Sequence, residues 1–309
     1  MSNNNIKVLY IAGWGRSGST ILAKILGQIE GFFHGGELRT IWIDGLKPKG
    51  ICGCGLPVKE CPVWTSVFEK GFGGLGQINP QEITKLRLNS EPKTQEVLLA
   101  NLLPGIKSRL KSRLDSYTKV LNNLYQAIQD TTGSRVIVDD SLHPGYAYTL
   151  SMMPNIDLYL VHIIRDARGC AYSWWKRRKT GLGRYTVRGS ALGWNLRNIT
   201  TEILASNLGK HKYLPVFYEG FIAQPKSTIE KIIDLVGESC SPLPFHSEEE
   251  VYLGITHSVF GNPNRTQTGV VRLKLDDQWN SQLTSSDKIT VNCLSFPFLL
   301  RYGYFHQRK

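Results

Sequence analysis

The chain opens on Ile6-Lys7-Val8-Leu9-Tyr10-Ile11-Ala12, a short β-prone apolar run closed by glycine. A run of this length, without alternation of polar and apolar positions, predicts a strand buried on both faces. Gly13 to Gly18 then punctuate the chain, and residues 21, 22, 25 and 26 carry the apolar spacing of one helical face, ended by Gly27. Further strands are predicted over Arg135–Asp139, Ile156–Ile164 and Tyr213–Tyr218, the last on a sheet edge or at a bulge because Pro215 has no N–H to donate. Helices are expected over about 81–130, with Val120, Leu121, Leu124 and Ile128 on one face and Pro92 and Pro104 as interruptions. Others are expected near 167–179, near 188–207 and from Pro225 onward, with Ile229, Ile232, Ile233 and Val236 turned inward. Residues of about 45–80, rich in Gly, Pro and Cys, read as an irregular excursion. Strands alternating with helices predict an α/β fold with a parallel central sheet flanked by helices. No internal repeat or linker interrupts the pattern, so one domain is expected over 1–309, with a loop and helical insertion at about 45–130.

Composition narrows the partners. Of the 309 residues, 41% are hydrophobic and 20% charged, as in an ordinary globular protein, which sets aside collagen, coiled coil and disorder. No apolar run approaches the roughly 18 residues of a membrane span. The Met1–Asn5 segment lacks the basic-then-apolar pattern of a signal peptide, so the expected location is cytoplasmic. Lys and Arg exceed Asp and Glu by 37 to 25, a net +12 that attracts anions. Apart from Lys176-Arg177-Arg178-Lys179 the cations are scattered, with no nucleic-acid motif or stripe. A compact anionic ligand fits better than nucleic acid or a membrane surface.

The six cysteines do not form a disulfide scaffold pattern. Cys170, Cys240 and Cys293 stand alone and are expected to be small buried residues. Cys52, Cys54 and Cys61 lie close together. Three readings stay open for them: a zinc ion completed by a fourth ligand from elsewhere, a disulfide, or free thiols packed in a loop.

The candidate chemistry lies in Gly13-Trp14-Gly15-Arg16-Ser17-Gly18-Ser19-Thr20, between strand and helix. Amide N–H groups at a helix N-terminus have no intrahelical partner, and the helix dipole adds partial positive charge there. Glycine lets such a backbone curl around phosphate oxygens. The Gly13-to-Gly18 spacing is that of a Walker A loop, but Ser19 stands where that loop has its lysine. That lysine neutralises the β and γ phosphates of a nucleoside triphosphate. Here the cation sits inside the loop, at Arg16.

Gly15-Arg16-Ser17-Gly18-Ser19-Thr20 resembles the 5′-phosphosulfate loop of sulfotransferases that use 3′-phosphoadenosine 5′-phosphosulfate (PAPS). Three more segments, in order along the chain, strengthen the resemblance. Arg165, with Ser173 eight residues on, is similar to the family's 3′-phosphate motif. Phe217-Tyr218-Glu219 looks like a strand end common in the family, and Gly261-Asn262-Pro263-Asn264-Arg265 resembles a late segment of bacterial and carbohydrate-type members. The resemblance implies the P-loop-type fold and PAPS as sulfuryl donor, with no metal required. It implies in-line transfer to a hydroxyl or amine of a small-molecule acceptor, with release of adenosine 3′,5′-bisphosphate. It assigns the donor's phosphates to Gly15, Arg16, Ser17, Gly18, Ser19 and Thr20 and to Arg165, Ser173 and Arg265. Arg16 would also stabilise charge on the leaving phosphate.

Two residues are candidates for the base that takes the acceptor's proton. Glu37, after Gly35-Gly36, resembles the Gly-Glu pair of tyrosylprotein sulfotransferases and is favoured over His143, which follows a strand as the catalytic histidine of cytosolic members does. His34 ranks third. Leu142 occupies the position of a family lysine that contacts the sulfonate, so Lys24 or Arg39 is expected to replace that charge. Trp14, Trp42, Trp64, Trp174 and Trp175 divide between core and acceptor wall. A P-loop kinase or NTPase is the competing enzyme reading, because Val136-Ile137-Val138-Asp139-Asp140 resembles a Walker B strand. A non-catalytic nucleotide-binding protein is the other alternative.

Overall fold

The computed structural model describes residues 5–181, 184–239 and 242–305, the side chains of 101–102 excepted. Five strands form one parallel sheet: β1 (Ile6–Gly13), β2 (Phe32–Gly36), β3 (Val136–Leu142), β4 (Ile156–Ile164) and β5 (Tyr213–Phe217). Their order is β2-β3-β1-β4-β5. The neighbours of β1 are thus reached by crossovers in opposite directions, which opens a crevice at the carboxyl ends of the strands. Pro215 lies in β5, an edge strand where its missing N–H costs no ladder bond.

The apolar run of β1 is continuous because both faces are covered. Leu9 and Ile11 pack with helix α1 (Ser19–Leu26) and with Ile229, Ile232 and Ile233 of the helix Pro225–Leu235. Val8, Tyr10 and Ala12 turn the other way, toward Leu121, Leu124 and Ile128 of the helix Pro104–Thr132. The 3.6-residue spacing of that helix therefore buries the face expected of it, and Pro104 opens it rather than breaking it. The helices Ala167–Lys179 and Val187–Leu208 also form where expected.

Five features depart from expectation. The Gly/Pro/Cys-rich excursion contains a helix, Pro62–Phe72, with Pro62 at its first turn and Trp64, Val67 and Phe68 buried at helical spacing. The strand β2 arises from Phe32-Phe33-His34-Gly35-Gly36, a weak strand former held by its pairing with β3. An antiparallel pair, β6 (Glu250–Leu253) with β7 (Gly269–Arg272), and a helix Ser285–Arg301 complete the chain. Of the isolated cysteines, Cys170 is buried as expected, but Cys293 is exposed on that last helix; Cys240 lies outside the described residues. No helix among the described residues is long and apolar enough to cross a membrane.

Candidate active site

Every sheet strand delivers a candidate residue at its carboxyl end: the glycine-rich loop after β1, Glu37 after β2, His143 after β3, Arg165 after β4 and Tyr218 after β5. Two cavities meet there. One, of about 280 Å³, is lined by Gly18, Lys24, Arg165, Tyr218, Asn264 and Lys274 among others. The second, of about 420 Å³, is lined by Trp14, Gly15, Glu37, His143, Trp174, Tyr185 and several arginines. Arg16, Ser19, Thr20 and Asn262 border both.

The loop owes its path to two glycines. Gly13 has φ +139°, and a Cβ there would lie 2.3 Å from the Ile163 carbonyl oxygen. Gly18 has φ +90°, and a Cβ there would meet the Tyr218 ring at 2.6 Å. Gly18 precedes α1, and no side chain caps that helix. Its first amides are therefore open to an anion. Arg16 is held at φ 76°, in the left-handed region, and its Nε donates to Ser173 Oγ at 2.9 Å. Burial and the neighbouring Arg177 and Arg165 push the Arg16 pKa down. Three guanidinium groups crowd this corner, and an anion would relieve their repulsion. Ser17 turns inward instead, its Oγ 3.5 Å from Cys170 Sγ, so its side chain borders neither cavity.

Arg165 is almost fully buried. It donates to the Arg16 carbonyl at 3.0 Å, forms a 3.0 Å ion pair with Asp276, and lies 4.7 Å from the centre of the Tyr218 ring. Asp276 thus occupies the guanidinium that the sequence assigns to a phosphate. The Asp276 side chain is 41% exposed, so it has solvent to move into when a ligand competes.

On the side of the second cavity, Glu37 lies between β2 and the Val259–Asn262 segment. Its N–H donates to the Val259 carbonyl, and Val259 N–H to the Gly35 carbonyl. Burial, reinforced by Asp140, Asp139 and Asp44 and opposed by Arg39, raises the Glu37 carboxyl to about 8. His143 Nδ1 lies 3.0 Å from Glu91 Oε1. Burial lowers His143 to about 4, against the pull of Glu91, so the ring is neutral at pH 7. Burial acts to raise Glu91, but His143 and Arg39 outweigh it and hold the carboxyl at about 2. Arg39 donates to both Glu91 oxygens, at 2.8 and 3.0 Å. His34 faces away, its Nε2 3.3 Å from Asp140.

Two neighbours of His143 were not visible in the sequence. Glu91 comes from the insertion, just past the helix Pro80–Ser90, with nothing in its local pattern to connect it to His143. The Tyr10 hydroxyl receives the His143 N–H at 2.8 Å and donates to the His143 carbonyl at 3.0 Å. The His143 carbonyl also accepts from the Tyr146 and Ala147 N–H groups, so Tyr10→Phe should strand only the His143 N–H and lower unfolding free energy by about 1–3 kcal/mol in a urea titration. An unchanged midpoint would mean that this hydroxyl does not hold His143.

Three of the expected phosphate ligands, Ser17, Ser173 and Arg265, line neither cavity, and Arg265 lies farthest from its expected role. Its Nη2 donates to the Ile51 carbonyl at 2.5 Å, and the side chain borders neither of the two cavities. The cations lining the first cavity are Arg16, Lys24, Arg165, Arg272 and Lys274. Lys24 is buried and donates to the carbonyls of Arg265 and Gln267. Of the tryptophans, Trp14 and Trp174 form one wall of the second cavity with Tyr185, ring centres 4.8–6.2 Å apart, whereas Trp42 and Trp64 are core. Asp139 accepts from Tyr125, and from Ser141 through its N–H and hydroxyl; Asp140 faces His34. Neither carboxylate borders either cavity, unlike a Walker B aspartate that shares a magnesium ion with the loop.

Comparison with known proteins places the chain in a family and matches its fold. A family profile described as "Sulfotransferase domain" matches residues 7–272. The "Sulfotransferase Domain from the Synechococcus PCC 7002 Olefin Synthase" is similar in fold, with 19% identity, 94% of each chain covered and a TM-score of 0.54. The "Sulfotransferase Domain from the Curacin Biosynthetic Pathway" matches at 16% identity over 94% of this chain and 97% of that one, with a TM-score of 0.49.

Proposed function

Because the chain belongs to the sulfotransferase family, we propose that it moves a sulfuryl group from PAPS to a hydroxyl or amine of a small-molecule acceptor. The reading rests on the glycine-rich loop bordering both cavities while a carboxyl raised to about 8, that of Glu37, lines the second. In-line transfer needs that arrangement: donor on one side of the loop, acceptor and base on the other. The bond between sulfur and the phosphate oxygen breaks as sulfur joins the acceptor oxygen or nitrogen. The acceptor's proton passes to Glu37, and adenosine 3′,5′-bisphosphate leaves.

The loop amides, Arg16, Ser19 and Thr20 meet the charge that grows on the departing 5′-phosphate. Arg165 takes the 3′-phosphate once Asp276 gives way, and Ser173 positions Arg16. His143, oriented by Glu91 and Tyr10, contacts the acceptor as a neutral ring. The second cavity adds a clue to the acceptor. Arg16, Arg39, Arg177, Arg184 and Arg197 line it together with the aromatic wall, which suits an acceptor with a flat apolar body and a negative charge. Incubation with ³⁵S-labelled PAPS and a panel of phenols, alcohols and amines, each with and without a carboxylate, tests this. The expected result is labelled product with stoichiometric bisphosphate, fastest for the anionic aromatic acceptors. Absence of transfer to every acceptor, with bisphosphate bound tightly, would favour a non-catalytic binder.

A further inference from the structure

Away from the transfer site, the three clustered cysteines meet a histidine from the far end of the chain. Cys52 and Cys54 lie on a tight hairpin, in which Ile51 bridges to Pro57, Cys52 N–H donates to Leu56 and Gly55 N–H to Cys52. Cys61 immediately precedes the helix Pro62–Phe72. His257 arrives 196 residues after Cys61, with its Nδ1 3.2 Å from Cys61 Sγ and 3.9 Å from Cys52 Sγ. The ligand atoms of Cys52, Cys54, Cys61 and His257 all lie within 4.8 Å of one another. Zinc bonds of about 2.3 Å to sulfur and 2.0 Å to nitrogen set tetrahedral ligand atoms about 3.5–3.8 Å apart. The four atoms are thus within about an ångström of a coordinating arrangement.

The surrounding backbone is shaped for this approach. A Cβ on Gly53, between two of the cysteines, would lie 2.6 Å from the Thr256 carbonyl oxygen and 2.7 Å from Ser258 Oγ. Gly53 N–H donates to the Ser258 carbonyl at 2.8 Å, and Trp64 Nε1 to the His257 carbonyl at 2.7 Å. Both segments are therefore anchored on either side of the cluster. Arg265 finds its place here too, with its guanidinium on the carbonyl of Ile51, next to Cys52. Three thiolates and one Zn²⁺ carry a net charge of −1, which a guanidinium nearby offsets.

We propose that Cys52, Cys54, Cys61 and His257 bind a structural zinc ion. Three sulfurs and one nitrogen complete a tetrahedral shell and leave no open position, so the ion holds the fold and takes no part in the transfer chemistry. It clips the insertion to the segment ending in Val259, whose main chain pairs with Gly35 and Glu37. The thiols lose their protons to solvent as the metal binds.

The test is elemental analysis of the full chain, produced with zinc supplied and purified with a reductant. The expected content is about one zinc per chain, falling below about 0.1 in Cys52→Ser and His257→Ala and unchanged in the exposed-site control Cys293→Ser. Should the ligand variants fail to fold, wild-type protein stripped with a chelator and titrated with Co²⁺ gives an independent readout. Thiolate-to-cobalt charge transfer with tetrahedral d–d bands, bleached by added Zn²⁺, is expected. Folded wild-type protein that holds no zinc and gives no such spectrum overturns the proposal. So does full zinc content in Cys52→Ser, or a disulfide between any two of these cysteines.

Discussion

Arg16→Ala is expected to lower kcat/KM for sulfuryl transfer by about 10²–10³-fold, the usual cost of removing one preorganised donor from developing charge. Arg16 is the cation at the boundary of both cavities, in a loop that has serine where triphosphate-binding relatives of its geometry place lysine. Its side chain can be removed without reshaping the loop. The structural contact to Arg165 comes from the Arg16 carbonyl, which alanine keeps, and the left-handed φ is no worse for alanine than for arginine. A stability change within about 1 kcal/mol should therefore accompany the loss of rate. Arg165→Ala should act differently. It removes a ligand of the remote phosphate and should chiefly weaken binding of the bisphosphate. Steady-state kinetics with varied PAPS separates the two, and full activity in Arg16→Ala would remove the arginine from the mechanism.

Glu37→Gln is expected to lower kcat by about 10²–10⁴-fold while leaving bisphosphate affinity unchanged, because glutamine keeps the shape of the side chain and loses only the proton acceptor. The pH profile distinguishes the two candidate bases. A base works deprotonated, so a Glu37 carboxyl at about 8 gives a rate that rises with pH up to about 8 and levels above it. His143, lowered to about 4, would already be deprotonated at pH 5 and give a flat profile across the neutral range. A rising limb near pH 8 that vanishes in Glu37→Gln identifies the glutamate. A flat profile with a full-rate Gln variant transfers the role to His143.

The parts of this site that the sequence revealed are those whose signals are local. β1, the glycine-rich loop and α1 follow one another without a gap, so the apolar run, the glycines and the helical spacing each announce themselves. β4 and the Arg165–Ser173 spacing are local in the same sense, as is Pro215 marking an edge strand. What stayed hidden depends on partners far along the chain. β2 is a strand because β3 lies beside it; Phe-Phe-His-Gly-Gly has little strand preference of its own. Glu91 reaches His143 across 52 residues and Tyr10 reaches it across 133. Arg265 carried a motif resemblance, yet its side chain lies on the Ile51 carbonyl beside the cysteine hairpin, where hydrogen bonding within the fold directs it. The fourth partner of the cysteine cluster, His257, is likewise a product of chain topology that spacing alone could not supply.

In the proposed function the loop grips a doubly phosphorylated adenosine through an internal guanidinium, where other loops of this geometry hold a triphosphate through lysine and magnesium. Calorimetric titration of the wild-type chain with adenosine 3′,5′-bisphosphate, and separately with ATP and Mg²⁺, measures this directly. The expected dissociation constant is about 1 μM or tighter for the bisphosphate, independent of magnesium, and ATP should bind about a hundredfold more weakly, a gap of about 2.7 kcal/mol. Tight magnesium-dependent ATP binding, with no heat from the bisphosphate, would contradict it.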